Sequence, residues 1–200
     1  MSSNCFVVWD DETHRCVIID PASEKAEREI QLIEENHLFF DYILLTHEHT
    51  DHTWGVNKLV EKYNPQVICS AACKEALPAA GDMYFRLYYD DPNYSYAVCR
   101  VDKTTEELQN QLTWNGEKFE FIPSPGHSAG SICIQMGNIL FSGDTLMQFK
   151  PYVNKRNGSK YILEETISFL LSSLLPSTLV YPGHGEVFTL SEYNNPFLKK

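Results

Sequence analysis

One short run restricts this chain more than any other part of it. In Thr46-His47-Glu48-His49-Thr50-Asp51-His52, three histidines and two carboxylates fill six consecutive positions directly after the apolar stretch Tyr42–Leu45. Drawing a polar group away from water without a partner costs about 2–7 kcal/mol on transfer scales. A fold that keeps such a run beside a buried strand must therefore neutralise and coordinate it. Imidazole and carboxylate are the donors that a borderline divalent ion such as zinc accepts. Side chains alternate along an extended segment, so His47 and His49 point the same way and can hold one ion together. A turn toward the helix expected from about Trp54 brings Asp51 and His52 to face a second.

Three further places repeat the chemistry. His127 lies in Ser124-Pro125-Gly126-His127-Ser128, Asp144 in Phe141-Ser142-Gly143-Asp144-Thr145, and His184 in Tyr181-Pro182-Gly183-His184-Gly185. Each occupies a loop at a strand end, with a glycine beside it that lets backbone approach a crowded site. Five of the 7 histidines fall in these motifs, and that concentration separates a site from incidental histidines. The other two, His14 and His37, lie in a polar turn and at a helix end, where exposure is expected.

The surrounding pattern is mixed. Cys5–Trp9 and Cys16–Ile19 predict a hairpin, closed by Asp20-Pro21. Ser23 is positioned to cap a helix running to about Asn36, with Ala26, Ile30 and Ile33 on one face and an acidic, solvated opposite face. Tyr42–Thr46 reads as a buried strand, Trp54–Tyr63 as a helix stopped by Asn64-Pro65, Val67–Cys69 as a strand and Ala71–Leu77 as a short helix. From Ala79 to Leu112 the periodicity weakens, and aromatics crowd the part from Tyr84 to Tyr96, either lining a pocket or covering the core. Strands return at Lys118–Ile122, Ile132–Met136 and Ile139–Ser142. An amphipathic helix over Tyr161–Leu175 ends at Pro176, and a last strand spans Thr178–Tyr181. Strands and helices do not alternate strictly, so two packed sheets with helices outside explain the pattern better than a doubly wound sheet. At 200 residues and 43% hydrophobic content, residues 1–200 are expected to form one domain.

Bulk properties exclude several partners. A net charge of −11 disfavours a general nucleic-acid binder, although bound cations would reverse the sign locally. No apolar run is long enough for a membrane span, and the first residues lack the basic and apolar regions of a signal peptide. Six scattered cysteines, at 5, 16, 69, 73, 99 and 133, resemble buried thiols in a reducing compartment, so a cytoplasmic setting is expected. Cys69 and Cys73 have no second pair with which to form a metal site and read as core residues. Lys155 and Arg156 are solvated charge in this reading, or contacts for an anionic substrate group. No feature of the sequence sets an oligomeric state.

The run His-x-His-x-Asp-His, followed in order by Pro-Gly-His, Gly-Asp-Thr and Gly-His-Gly, resembles the metallo-β-lactamase superfamily over nearly the whole chain. That resemblance implies an α/β (α+β) fold, an αββα four-layer sandwich with the site on loops at one edge. It also implies metal ligands: His47, His49 and His127 on a first ion, Asp51, His52 and His184 on a second, and Asp144 bridging. Zinc is the favoured pair, with iron or manganese as alternatives. The spacing is most similar to the glyoxalase II-like branch in its short form, which implies hydrolysis of a thioester such as hydroxyacylglutathione. Two departures stand out. The C-terminal helical domain that holds glutathione has no counterpart, and Met147-Gln148-Phe149-Lys150-Pro151-Tyr152 replaces the usual Gly-Arg pair. A small-molecule substrate is thus expected without a commitment to glutathione. Two divalent ions about 3.5–4 Å apart lower the pKa of a shared water from about 15.7 to roughly 7, giving a hydroxide that attacks an ester-like carbonyl. Asp51 is expected to orient that hydroxide, and Thr46, Glu48, Ser128 and Thr145 are candidates to fix the imidazoles from behind. The alternatives are a mononuclear-iron enzyme resembling persulfide dioxygenases and a lactonase.

Overall fold

Central strands that bury both faces decide the layering. The computed structural model describes residues 3–80, 93, 95–153 and 157–197. Most of the aromatic-rich stretch (Tyr84, Phe85, Tyr88, Tyr89, Tyr94), together with Lys155 and Arg156, lies outside them. The first sheet runs in the order β1 (Phe6–Asp10), β2 (Arg15–Ile19), β3 (Phe39–Leu44), β4 (Gln66–Cys69), β5 (Lys103–Thr104). The second runs β11 (Phe188–Thr189), β10 (Leu179–Pro182), β9 (Ile139–Gly143), β8 (Ile132–Met136), β7 (Glu117–Pro123), β6 (Gln111–Trp114).

Strict alternation divides the apolar side chains among three cores. Val17, Ile19, Leu44 and Ile68 of the first sheet meet Phe119, Phe121, Ile134 and Phe141 of the second, forming the core between the sheets. Their neighbours Cys16, Ile18, Ile43, Val67 and Cys69 point the other way, toward three helices: α1 (Glu27–Glu35), α3 (Val56–Tyr63) and α4 (Ala71–Ala80). On the far side Cys133, Leu140 and Val180 pack against Leu163, Ile167 and Leu170 of α5 (Lys160–Ser173). Helices, sheet, sheet and helix stack as the αββα sandwich. Each fully buried Leu or Ile contributes about 1.5–3 kcal/mol relative to exposure, so all three cores hold the layers together.

Strand direction then places the loops. β2, β3, β4 and β5 pair in parallel, as do β9 and β10, while the remaining pairs are antiparallel. The carboxyl ends of β2, β3, β9 and β10 feed one edge of the sandwich. Two hydrogen bonds across the layers fix that edge: Ile132 N donates to Thr46 O at 2.9 Å, and the Ser70 side-chain Oγ donates to Gly130 O at 2.7 Å.

Several boundaries differ from expectation. The first helix is not capped by Ser23; it begins at Glu27, after Ala26 takes a left-handed conformation with φ 46° and no side-chain cap. Ser23 instead offers its carbonyl to Ala26 N, forming the turn before the helix. The last helix stops at Ser173 rather than Leu175, because Leu174 is already extended ahead of Pro176. Asn64 does end α3, in a left-handed conformation at φ 55°. His14 and His37 are exposed, as expected.

Candidate metal centre

The supports of this site follow from strand register. Ile19 pairs with Leu44, so Asp20 leaves β2 beside the residues leaving β3. Its carboxylate accepts from Thr46 N at 2.8 Å and from Thr46 Oγ1 at 2.6 Å, pinning the start of the histidine run. Past β3 the chain bends at Thr46 and Glu48, and after an extended His49 it turns into α2 (Thr50–Thr53), which swings Asp51 and His52 around. On the other sheet Gly143 pairs with Pro182 and accepts a hydrogen bond from Gly183 N at 2.7 Å, so Asp144 and His184 emerge together. His127 comes from the β7–β8 loop, where Gly126 holds φ 135° with its backbone directly against Leu163. Only glycine fits both that conformation and that approach.

Side chains from these five segments converge. His47 Nε2 lies 3.1 Å from His49 Nδ1, and His127 Nε2 lies 3.2 Å and 2.8 Å from those same two atoms. Asp51, His52 and His184 form a second group whose donor atoms lie within 4.8 Å of one another. Asp144 stands between the groups. One oxygen is 3.5 Å from His127 Nε2 and 3.7 Å from His184 Nε2, while the other is 3.4 Å from His52 Nε2. His47, His52 and His127 are buried; His49, Asp51 and His184 are partly exposed, the side chains of the last two by 29% and 13%.

Outer partners fix which ring nitrogen faces inward. The Thr46 hydroxyl donates to Asp20, so at 3.0 Å it accepts from His47 Nδ1 and leaves Nε2 as the free lone pair. Asp20 Oδ2 takes the His52 Nδ1 proton at 2.9 Å, and Tyr152 O takes that of His127 Nδ1 at 2.7 Å. In each case the lone pair of Nε2 points into the site, the arrangement that metal-ligating histidines need.

Charge differs between the two groups. Burial, reinforced by neighbouring imidazoles, pushes His47 well below the ordinary histidine range, and burial lowers His127 to about 4. Burial lowers His49 as well, so these three are neutral donors. Burial would also depress His52, but the Asp20 and Asp144 carboxylates outweigh it and raise the group strongly. His184 rises through its hydrogen bond to Asp51. Burial opposes ionisation of Asp144, yet His52, His127 and His184 hold it below the usual carboxylate range.

Two atoms at the centre, His52 Nε2 and Asp144 Oδ1, are buried 3.4 Å apart and have no hydrogen-bond partner among the described residues. Leaving a buried polar atom unsatisfied costs about 1–3 kcal/mol, more for a charged group. A divalent cation satisfies both atoms at once, and the imidazole and carboxylate donors suit one. Residues 1–184 match the Metallo-beta-lactamase superfamily family profile. The chain belongs to the metallo-β-lactamase superfamily.

Similar proteins within it are informative. The chain is 31% identical to the hydroxyacylglutathione hydrolase GloC of Haemophilus influenzae, covering 98% of this chain and 92% of that protein. Among solved structures, it resembles TTHA1623 in a di-iron-bound form (TM-score 0.78, 30% identity, 98% and 95% of the two chains). It also resembles the B3 metallo-β-lactamase BLEG-1 (TM-score 0.82, 27% identity, 99% and 95%). Members of the superfamily bind divalent metals in a site of histidines and aspartates.

All seven sequence-predicted residues (His47, His49, Asp51, His52, His127, Asp144, His184) fall within this one cluster. Of the four expected supports, only Thr46 meets an imidazole. Glu48 points away from His47 and His49; it accepts from Ser128 Oγ at 2.9 Å and from Asn157 Nδ2 at 2.6 Å. Among the described residues the Thr145 hydroxyl has no hydrogen-bond partner. Sequence reasoning missed Asp20, treating it only as the end of a strand. A lone acid directly after four buried residues (Cys16–Ile19) was the available signal. The Tyr152 carbonyl left no signal, since any residue supplies one.

Proposed function

We propose that this chain is a dinuclear metal-dependent hydrolase that cleaves a thioester or a related small ester. His47, His49 and His127 hold one divalent ion, Asp51, His52 and His184 hold the other, and Asp144 bridges them. The chemistry that a pair of divalent ions would supply there is a bound water with a pKa lowered to about 7 and polarisation of an ester-like carbonyl. The chain's own residues supply the frame. Asp20 and Tyr152 O hold His52 and His127 in one tautomer. Asp51, at the open side and 3.2 Å from His184 Nε2, is placed to orient the attacking water and hold its proton. Asp144 carries the reading: one oxygen of this buried carboxylate lies between His127 and His184, of different groups, and the other faces His52 and, among the described residues, has no hydrogen-bond partner.

The similarity to a hydroxyacylglutathione hydrolase supports a thioester substrate of that kind, and because no Gly-Arg pair follows Gly143-Asp144-Thr145, glutathione is compared with other acyl carriers in the screen below. Zinc suits the five-imidazole donor set, with iron as its rival, since a 30%-identical relative holds two irons. Six free cysteines accord with a cytoplasmic setting. The test joins metal analysis of protein purified without added metal to a screen of S-acyl-glutathione, acyl-coenzyme A and lactone substrates. Two ions per chain and turnover of an acyl thioester are expected. One iron per chain with oxygen consumption would replace the hydrolase with an oxygenase.

A further inference from the structure

Two residues entering β1 attach to the more open half of the metal centre. Asn4 makes three hydrogen bonds to one loop: its backbone N donates to Gly183 O at 2.6 Å, and its side-chain amide donates to Pro182 O at 2.9 Å and Gly185 O at 2.8 Å. Those three carbonyls flank His184 on both sides. The preceding residue, Ser3, donates its hydroxyl to Asp51 O. Consecutive residues thus grip the main chain at Asp51 and around His184, the two partly exposed donors of the second group. Among the described residues, no hydrogen bond runs from this segment to His47, His49 or His127.

The grip acts on a glycine-rich stretch that is tied to β9 on one side only, by the bond from Gly183 N to Gly143 O. Pro182-Gly183-His184-Gly185 carries two glycines, and Gly185 sits at φ 88°. Glycine loses the most conformational freedom on ordering, so this loop needs an external tie to present its imidazole in one place. An asparagine amide carries two N–H donors, and these reach carbonyls on both sides of His184. Aspartate has no donor there and would face carbonyl oxygens with charge.

We propose that Asn4 is a positioning residue whose amide straps the His184 loop and thereby sets affinity for the second ion, with Ser3 assisting at Asp51. The inference rests on the two-ion reading above. Stepwise titration of metal-free protein with Co²⁺, followed by its visible absorption, tests it. Wild type should take up two equivalents. Asn4→Ala and Asn4→Asp should bind the first equivalent within about twofold of wild type and the second about 10–100-fold more weakly, the size typical for loss of a group that orients a ligand. Asn4→Ser, which retains one donor, should recover part of the loss, an outcome that a merely structural defect would not give. Equal weakening of both equivalents, or no weakening, overturns the strap while leaving the two-ion reading intact. Uptake of a single equivalent by wild type removes the two-ion reading and the strap with it. Should Asn4→Ala fail to fold, Ser3→Ala carries the test: a weaker second equivalent with an unchanged first supports the strap, and unchanged binding of both overturns it.

Discussion

The two sheets contribute to the site in opposite ways. The first delivers a block: Asp20 after β2 and the run from Thr46 to His52 after β3, held to each other by hydrogen bonds of 2.8 and 2.6 Å. The second delivers single residues, His127, Asp144 and His184, from three separate loops, each beside a glycine at close quarters. A block depends on one buried support, whereas dispersed donors depend on how closely main chains approach. Faults in the two halves should therefore differ in kind.

The sharpest way to break this contrast is Asp144→Ala. Asp144 faces both groups, so its loss should abolish hydrolysis and deplete both ions, exceeding the about 10–100-fold expected for an outer partner. Metal content and turnover read this directly; full turnover would end the bridging role. Next, Gly183→Ala tests the approach of the dispersed half. A methyl there would collide with the Asp144 carboxylate and lie 2.7 Å from His52 Cε1. Metal occupancy and activity should fall together while the circular dichroism of the two sheets persists. A smaller effect is expected from Asp20→Asn, which loses the charge behind His52 and turns one of the two accepting oxygens into an N–H donor. About 10-fold weaker metal binding is predicted, with little change in Km relative to kcat; an unaltered affinity would show that the block needs no charged support. The least effect separates the cores rather than the loops. Burial pushes the thiol of Cys16, in the first sheet, up to about 12 and that of Cys133, in the second, up to about 11. Thiolate is the reactive form, so at pH 8 both should resist alkylation in the folded protein while exposed Cys99 reacts. Rapid labelling of Cys133 at pH 8, read by mass spectrometry, would mean the second sheet is the looser of the two.

The same contrast governs what the sequence reveals. The histidine run declares itself because its members are neighbours, and β2, β3, β8 and β9 are legible because uninterrupted apolar residues mark strands buried on both faces. Short edge elements carry too little pattern. β5 and β11 have two residues each, and their pairing is decided by the neighbouring strand. β6 was readable but unread. Gln111–Trp114 alternates exposed and buried, and Asn115-Gly116, with φ 50° and 82°, is the two-residue turn that joins it to β7. The late start of α1 was not readable, because the left-handed turn at Ala26 has no residue signature; asparagine or glycine would be the usual occupant. Asp20 shows the limit most clearly. Its importance comes from lying beside Thr46 and His52, a proximity created by the parallel pairing of β2 with β3.

The main-chain bond from Ile132 to Thr46 joins the second sheet to the residue immediately before His47. Sliding one layer over the other would tear that link and pull His47 off its seat, so opening for substrate has to be confined to the rim. Catalytic speed and tolerance of new substrates can then be altered by rebuilding the rim alone, with the cage inherited unchanged.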